Sequence, residues 1–322
     1  MPSGLRALCD TLLAAQGMQH KADIALAHRM LGASSGLCRS GDDCAAIPDG
    51  DGFALLAIEG LLDEFVRVEP WFAGYCGVMV NLSDVAAMGG RTTAVVDAVW
   101  AAAPRGAEEI LSGMQAAAAA YGIPIVGGHT NTRSSGDRLA VAVLGRAARV
   151  MTSFDARPGD VLVAAIDLRG AYHEPYTYWN CSTQAPHARL RADLELLPGL
   201  ASDGLCAAAK DISLGGLLGT LLMLLECSGI GARAELDRLP IPAGVPLERW
   251  LQTFPSYGFI FAVAPSDVAE VRRRFVSRGI ACEAFGTCDR RGSLRVAAGN
   301  EEEVFWDLDR VPFTGARTYA LS

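Results

Sequence analysis

VNLSDVAAMGGR, residues 80–91, decides how the chain is read. It continues WFAGYCGVM (71–79), so from Trp71 to Met88 the only charge is Asp84. The pattern predicts a buried helix over 71–88, stopped by Gly89-Gly90. Asn81 and Asp84 lie three apart and therefore share a helix face. A carboxylate inside an apolar helix is costly unless it is paired or bound to a cation.

Working outward, FALLAI (53–58) is a short apolar run ending on Glu59, which predicts a strand. GDDCAAI (41–47) closes a loop rich in glycine and serine, and residues 6–31 place apolar residues at helical spacing. TAVVDAVW (93–100) predicts a strand interrupted by Asp97. Residues 104–121 predict a helix, with Pro104 at its start, Glu108 and Glu109 in its first turn and Gly122 after its end. IPIV (123–126) predicts a strand running into Gly127-Gly128-His129-Thr130, and 138–147 another. The turn Arg157-Pro158-Gly159-Asp160 precedes the apolar run 161–166. A boundary just before it gives two domains, 1–152 and 153–322. In the second, helices are expected over 201–210, 217–228 and 266–279, the last with Ser266 as N-cap. Strands are expected over 232–236, 258–264 and 294–299. Alternating strands and helices in both halves give the class α/β or α+β.

Composition removes several function classes. A length of 322 residues suits two domains, and 51% hydrophobic with 20% charged residues excludes wholesale disorder. A net charge of −8 argues against a nucleic-acid partner, though not against phosphate ligands. Nine cysteines with no C-x-x-C spacing read as reduced thiols of a cytoplasmic protein. The N-terminal residues lack the basic and continuous apolar regions of a secretory signal. The uncharged stretch 110–132 is broken by Gly122, Pro124, Gly127 and Gly128, so no membrane span is expected. No Walker A motif is present, and no G-x-G-x-x-G follows a strand. GASSG (32–36) fits G-x-S-x-G, but a helix precedes it and a loop follows, the reverse of what a nucleophile elbow on Ser34 needs.

What remains is a set of acids at element ends: Asp42, Asp43, Glu59, Asp84, Asp97 and Asp211. Each alone could cap a helix or pair with an arginine. Together they suggest hard oxygen ligands for Mg²⁺, which commonly bridges carboxylates and nucleotide phosphates. Gly127-Gly128 after a strand would let backbone N–H groups approach an anion. His129 is open as a ligand, a phosphate contact or a structural histidine, and Lys21 as a phosphate contact or a solvated lysine.

These segments, in this order, resemble the aminoimidazole-ribotide (AIR) synthetase superfamily. Its relatives include thiamine-monophosphate kinase, selenophosphate synthetase, formylglycinamidine-ribotide synthetase and the hydrogenase-maturation dehydratase. GDDCAAI resembles the G-D-D-[AC]-A segment of thiamine-monophosphate kinase, and VNLSDVAAMGGR its N-L-S-D-x-A-A-M-G segment. IVGGHT (125–130) is similar to the G-G-[HDE]-T element, and RPGDVLVAA (157–165) to the stretch opening the second domain. KDISLGG (210–216) resembles the D-x-[ST]-x-G-[GL] element, while FGTCDRRGSL (285–294) matches a closing strand loosely. Asp97 falls where the ribotide synthetase has an acid. The resemblance spans about residues 36–296.

The resemblance implies a two-domain fold: an N-terminal domain contributing to a β-barrel in a homodimer, and a C-terminal α/β sandwich. It implies an ATP- and Mg²⁺-dependent enzyme that phosphorylates, or activates through phosphate, an oxygen of a small metabolite. Carried over by motif, Asp42, Asp43, Glu59 and Asp84 are metal ligands, and Asp43, Asp84 and Asp211 are catalytic. Lys21, Gly41, Gly127, Gly128, His129 and Thr130 contact ATP phosphates. The departures are Glu59 where relatives have Asp, GGHT for the ribotide synthetase's GGET, no cysteine in Gly17–Lys21, and an ending RTYALS without the dehydratase's cysteine. Residues 172–191 have no counterpart; their aromatics either pack a loop or line a substrate pocket with Tyr176 and Trp179. A kinase and a synthetase both stay open. Glu59 keeps alive a non-catalytic, ATP-binding scaffold subunit as an alternative.

Overall fold

A computed structural model describes residues 4–31 and 39–316. Ser34 and the GASSG segment lie outside the described residues. The chain divides into two compact units: residues 44–150 with 183–199, and residues 1–43, 151–182 and 200–322. The fold is mixed α/β, as expected. The sequence reading places its boundary at 152/153; by contacts, residues 1–43 go with the later unit and 183–199 with the earlier one.

In the unit built on residues 44–150, a five-stranded sheet runs in the order Ala45–Asp49, Gly52–Gly60, Arg138–Ala147, Arg91–Trp100, Ile125–Asn131. All its pairs are antiparallel except the last, which is parallel. Helix Pro70–Ala87 lies on one face of this sheet and is buried from Phe72 to its end. It packs closely against helix Pro104–Tyr121 because glycines meet at the crossing. A Cβ on Gly74 would stand 2.0 Å from the Ile110 carbonyl oxygen, and one on Gly113 1.8 Å from that of Trp71. The second helix ends as expected, with Gly122 left-handed at φ 74°. Its first turn holds no acid, so Glu108 and Glu109 fall beyond it. Arg191, on helix His187–Leu194, donates to the terminal carbonyls of Ala119 and Ala120, which explains why residues 183–199 belong here.

The opposite sheet face is apolar and bare. Strand alternation sends Leu55 inward and Leu56 and Ile58 outward, the latter 69% exposed. Leu56 stands opposite Leu144, while Ile58 and Val96 flank Ala142 in the next row.

The other unit holds a seven-stranded sheet. Its order is Glu301–Asp307, Ser293–Ala298, Gly231–Glu235, Ala281–Asp289, Val161–Ile166, Gly258–Val263, Ala208–Asp211. Every pair is antiparallel except Gly231–Glu235 with Ser293–Ala298. Helix Gly216–Ser228 is buried throughout Gly216–Cys227, and helix Val268–Val276 covers Phe275 and Val271. The latter is capped at Asp267 without a side-chain bond, so Ser266 is not its N-cap. The helix expected over 201–210 is also corrected: a helix ends at Asp203, Gly204 turns at φ 69°, and strand Ala208–Asp211 follows. Residues 1–43 join this unit through long-range contacts. The Leu5 N–H donates to Glu301 at 2.6 Å, and Gly17 lies so near Leu214 that a Cβ would stand 2.0 Å from its carbonyl oxygen.

A buried carboxylate fastens the chain's last described turn. Glu226 is 1% exposed and accepts the N–H groups of Phe313, Thr314 and Gly315 together with the Thr314 hydroxyl. The Thr314 carbonyl in turn accepts from His28 Nδ1 at 2.8 Å. This turn lies over Gly41: at φ 125°, a Cβ there would stand 3.2 Å from Ala316 and 2.9 Å from Cys227 Sγ.

Candidate active site

The acidic loop Gly41-Asp42-Asp43 closes on strand Ala208–Asp211 within one unit. Residues 168 apart in sequence meet there: Asp43 Oδ2 accepts the Asp211 N–H at 3.3 Å. Its Oδ1 pairs with the ammonium of Lys210. That ammonium also reaches the Gly41 carbonyl and Ser153 Oγ, each at 3.4 Å. Asp42 accepts the backbone N–H of Ser153. Burial raises its carboxyl to about 6, offset in part by Lys210. Lys210 itself is 4% exposed; burial disfavours its charge, and Asp43, with Cys227 and Asp42, more than restores it, pushing the ammonium above the ordinary lysine range. Lys210 is the residue that sequence reasoning missed. Its signal is a lysine inside the apolar run CAAAKDI, a buried charge that needs a partner.

Cys227 is no soft ligand here. Its Sγ donates to the Gly41 carbonyl, and burial holds its thiol far above the usual range. The described cysteines are all buried, and burial raises the thiols of Cys9, Cys76, Cys206, Cys282 and Cys288 as well, that of Cys206 to about 12.

Lys21 lies beside this segment, with a Cβ on Gly215 falling 3.2 Å from its Cγ. Tyr176 is half-buried, stacked between His173 and Tyr178 at interplanar angles of 14° and 7°. Trp179 is 6% exposed and donates its indole N–H to the Asp167 carbonyl, with Tyr172 and Trp250 edge-on. Its side chain is packing material, so of the two aromatic candidates only Tyr176 presents a surface.

In the unit built on residues 44–150, the sheet register sets acids in one row. Glu59 and Asp97 both stand opposite Val141, and Asp97 stands opposite Gly128. A Cβ on Gly128 would meet the Asp97 carboxylate at 2.5 Å, which is why glycine sits there. Burial raises the Asp97 carboxyl above its ordinary value. Asn81 and Asp84 are both buried on helix Pro70–Ala87. Asn81 Nδ2 donates to the Gly77 carbonyl at 2.7 Å, and its Oδ1 finds no partner among the described residues. Gly127, Gly128, His129 and Thr130 lie within the sheet-edge strand rather than after it, and are exposed. His129 leans toward Trp100 at 6.3 Å between ring centres. A cavity of about 580 Å³ in this unit is lined by Leu82, Tyr121, Arg191 and Glu195, among others, and none of the expected site residues lines it.

Among the described residues no helix is long and apolar enough to cross a membrane.

Comparison with known proteins agrees with this architecture. Residues 41–147 match the model for the AIR synthase related protein N-terminal domain, and residues 171–299 that for its C-terminal domain. The chain is 47% identical to the uncharacterised protein sll0787 of Synechocystis, over 93% of this chain and 94% of that one. It is 28% identical to the thiamine-monophosphate kinase of Rhodopirellula baltica, over 72% of this chain and 74% of the kinase. Among solved structures it superposes on T. maritima PurL complexed with ADP, with a TM-score of 0.77 and 20% identity. That match covers 98% of this chain but 52% of PurL, so the chain spans about half of it. With both domain models matched in order along the chain, this protein belongs to the AIR synthase related family.

Proposed function

We propose that the chain is an ATP- and Mg²⁺-dependent enzyme that phosphorylates, or activates through phosphate, an oxygen of a small metabolite. One observation carries this reading: the Gly41–Asp43 loop sets two buried carboxylates, Asp42 and Asp43, about the single ammonium of Lys210, and Asp43 also accepts the backbone N–H of Asp211. The excess negative charge calls for a further cation. The donors are carboxylates. An all-oxygen set fits Mg²⁺ rather than a soft metal. A relative named as a kinase and a structural neighbour solved with ADP support the nucleotide.

Asp42, Asp43, Glu59 and Asp84 are proposed as metal ligands, and Asp43, Asp84 and Asp211 as the residues on which transfer depends. When bound, the metal would neutralise the phosphates, the chief demand of phosphoryl transfer. Lys210 holds Asp43 in place, so the carboxylate is oriented before any ligand arrives. Lys21, Gly41, Gly127, Gly128, His129 and Thr130 are proposed phosphate contacts, and Tyr176 a substrate contact. The bare apolar rows of Leu56, Leu144, Ile58 and Val96 are proposed to meet a second copy of the chain, since a patch of this kind is a poor solvent surface.

Incubating the protein with Mg·ATP and pools of small metabolites, followed by ³¹P NMR, tests the activity. A kinase yields ADP and a new phosphoester, whereas a synthetase yields ADP and inorganic phosphate only when its substrate is present. ATP left intact in every pool would reject the enzyme in favour of a scaffold subunit.

A further inference from the structure

We infer that Lys210 is a resident cation of the acidic loop, which keeps a divalent ion from binding tightly until a nucleotide brings its own negative charge. The inference rests on the proposed role of Asp42 and Asp43 as metal ligands, and it adds the order in which metal and nucleotide are held.

The geometry is specific. Lys210 sits on the edge strand Ala208–Asp211, all of whose residues are buried, and pairs through its backbone with Ile260. Its side chain is 5% exposed and so is that of Asp43, which makes this a desolvated pair. The remaining contacts of Nζ are the Gly41 carbonyl and the Ser153 hydroxyl. Asp42 also acts on it electrostatically. The ion-pair and hydrogen-bond partners of the ammonium among the described residues thus belong to the loop or to the residue that holds Asp42 by its backbone N–H, and the Cys227 thiol lies close by. An ammonium has three donors and no acceptor, so Lys210 cannot itself ligate a metal. It acts as a fixed positive charge at the carboxylates a metal would use.

Two consequences follow. Without nucleotide, an incoming divalent ion meets acids already partly neutralised and is repelled by Lys210 at short range. Once phosphates are present, the same ammonium becomes an attractive partner for them, and the ion arrives with its own anionic ligands. The site then favours the metal–nucleotide complex over the bare ion.

Mn²⁺ titration followed by electron paramagnetic resonance, in the absence of nucleotide, tests this. Wild type is expected to bind Mn²⁺ weakly, with Kd above about 10⁻⁴ M, the range of sites with few effective charges. Lys210→Met is expected to bind it at least about tenfold more tightly. Lys210→Gln, which keeps a polar group beside Asp43, should shift the same way and serves if the methionine variant does not fold. Lys210→Arg, which keeps the charge, should match wild type. Tight Mn²⁺ binding by wild type alone, or neutral variants that bind no more tightly than wild type, would overturn the inference. Failure of the enzyme reading looks different: neutral variants would still gain Mn²⁺ affinity while no form turned over ATP.

Discussion

Glu226→Ala should lower the melting temperature by roughly 6–12 °C. The carboxylate is buried and accepts three backbone N–H groups and one hydroxyl from the turn at Phe313–Gly315. Alanine leaves those donors without acceptors in a site closed to water. An orphaned buried donor costs about 1–3 kcal/mol, and at least two here have no route to solvent, so the loss is about 3 kcal/mol or more. For a unit of this size each kcal/mol moves the transition by about 2–4 °C. Circular dichroism of thermal unfolding reads the shift directly. Glu226→Gln should lie in between, because its amide keeps one acceptor oxygen but turns a donor toward an N–H group. A melting temperature for Glu226→Ala within a degree of wild type would mean that the turn is held by something else.

Asp43→Ala should be as damaging, for an electrostatic reason. It removes the ion-pair partner of the Lys210 ammonium, which keeps the Gly41 carbonyl and a serine hydroxyl at 3.4 Å and the weaker field of Asp42. Removing one partner of a buried ion pair costs about 3–5 kcal/mol, mostly the penalty of the unpaired charge that remains. The double variant Asp43→Ala with Lys210→Met should therefore be more stable than the single one, because it removes the stranded charge. Thermal melts of the three proteins form the cycle. A double variant as unstable as the two single losses added together would show that Asp43 and Lys210 act independently, against the geometry.

How much of this was legible in sequence varied by element. The helix expected over 71–88 is observed at Pro70–Ala87, and that over 104–121 matches its observed bounds. Both are long, and both carry local stop signals in glycine. The segment 201–210 misled because a short apolar run suits a strand or a buried helix equally; only Gly204, adopting positive φ, separates the two states. The acids were legible because a charge inside an apolar run demands an explanation. Lys210 obeys the same logic with opposite sign, but a lysine next to a motif aspartate is masked by its neighbour. Glu226 could not be read at all: its partners lie 87 to 89 residues away, and nothing local marks it. The placement of residues 1–43 with the later unit rests likewise on long-range bonds such as Leu5 to Glu301. Glycines 127 and 128 were expected just after the strand that IPIV opens. Here they lie in an edge strand, where the close approach of the Asp97 carboxylate accounts for the second of them.

The measurement that bears most directly on the nucleotide reading is isothermal titration with a non-hydrolysable ATP analogue, with and without Mg²⁺, on wild type and on Asp84→Ala. Binding by wild type that needs Mg²⁺, weakened about 100-fold or more in Asp84→Ala, is the predicted result. No binding by folded wild type at any Mg²⁺ concentration would contradict it.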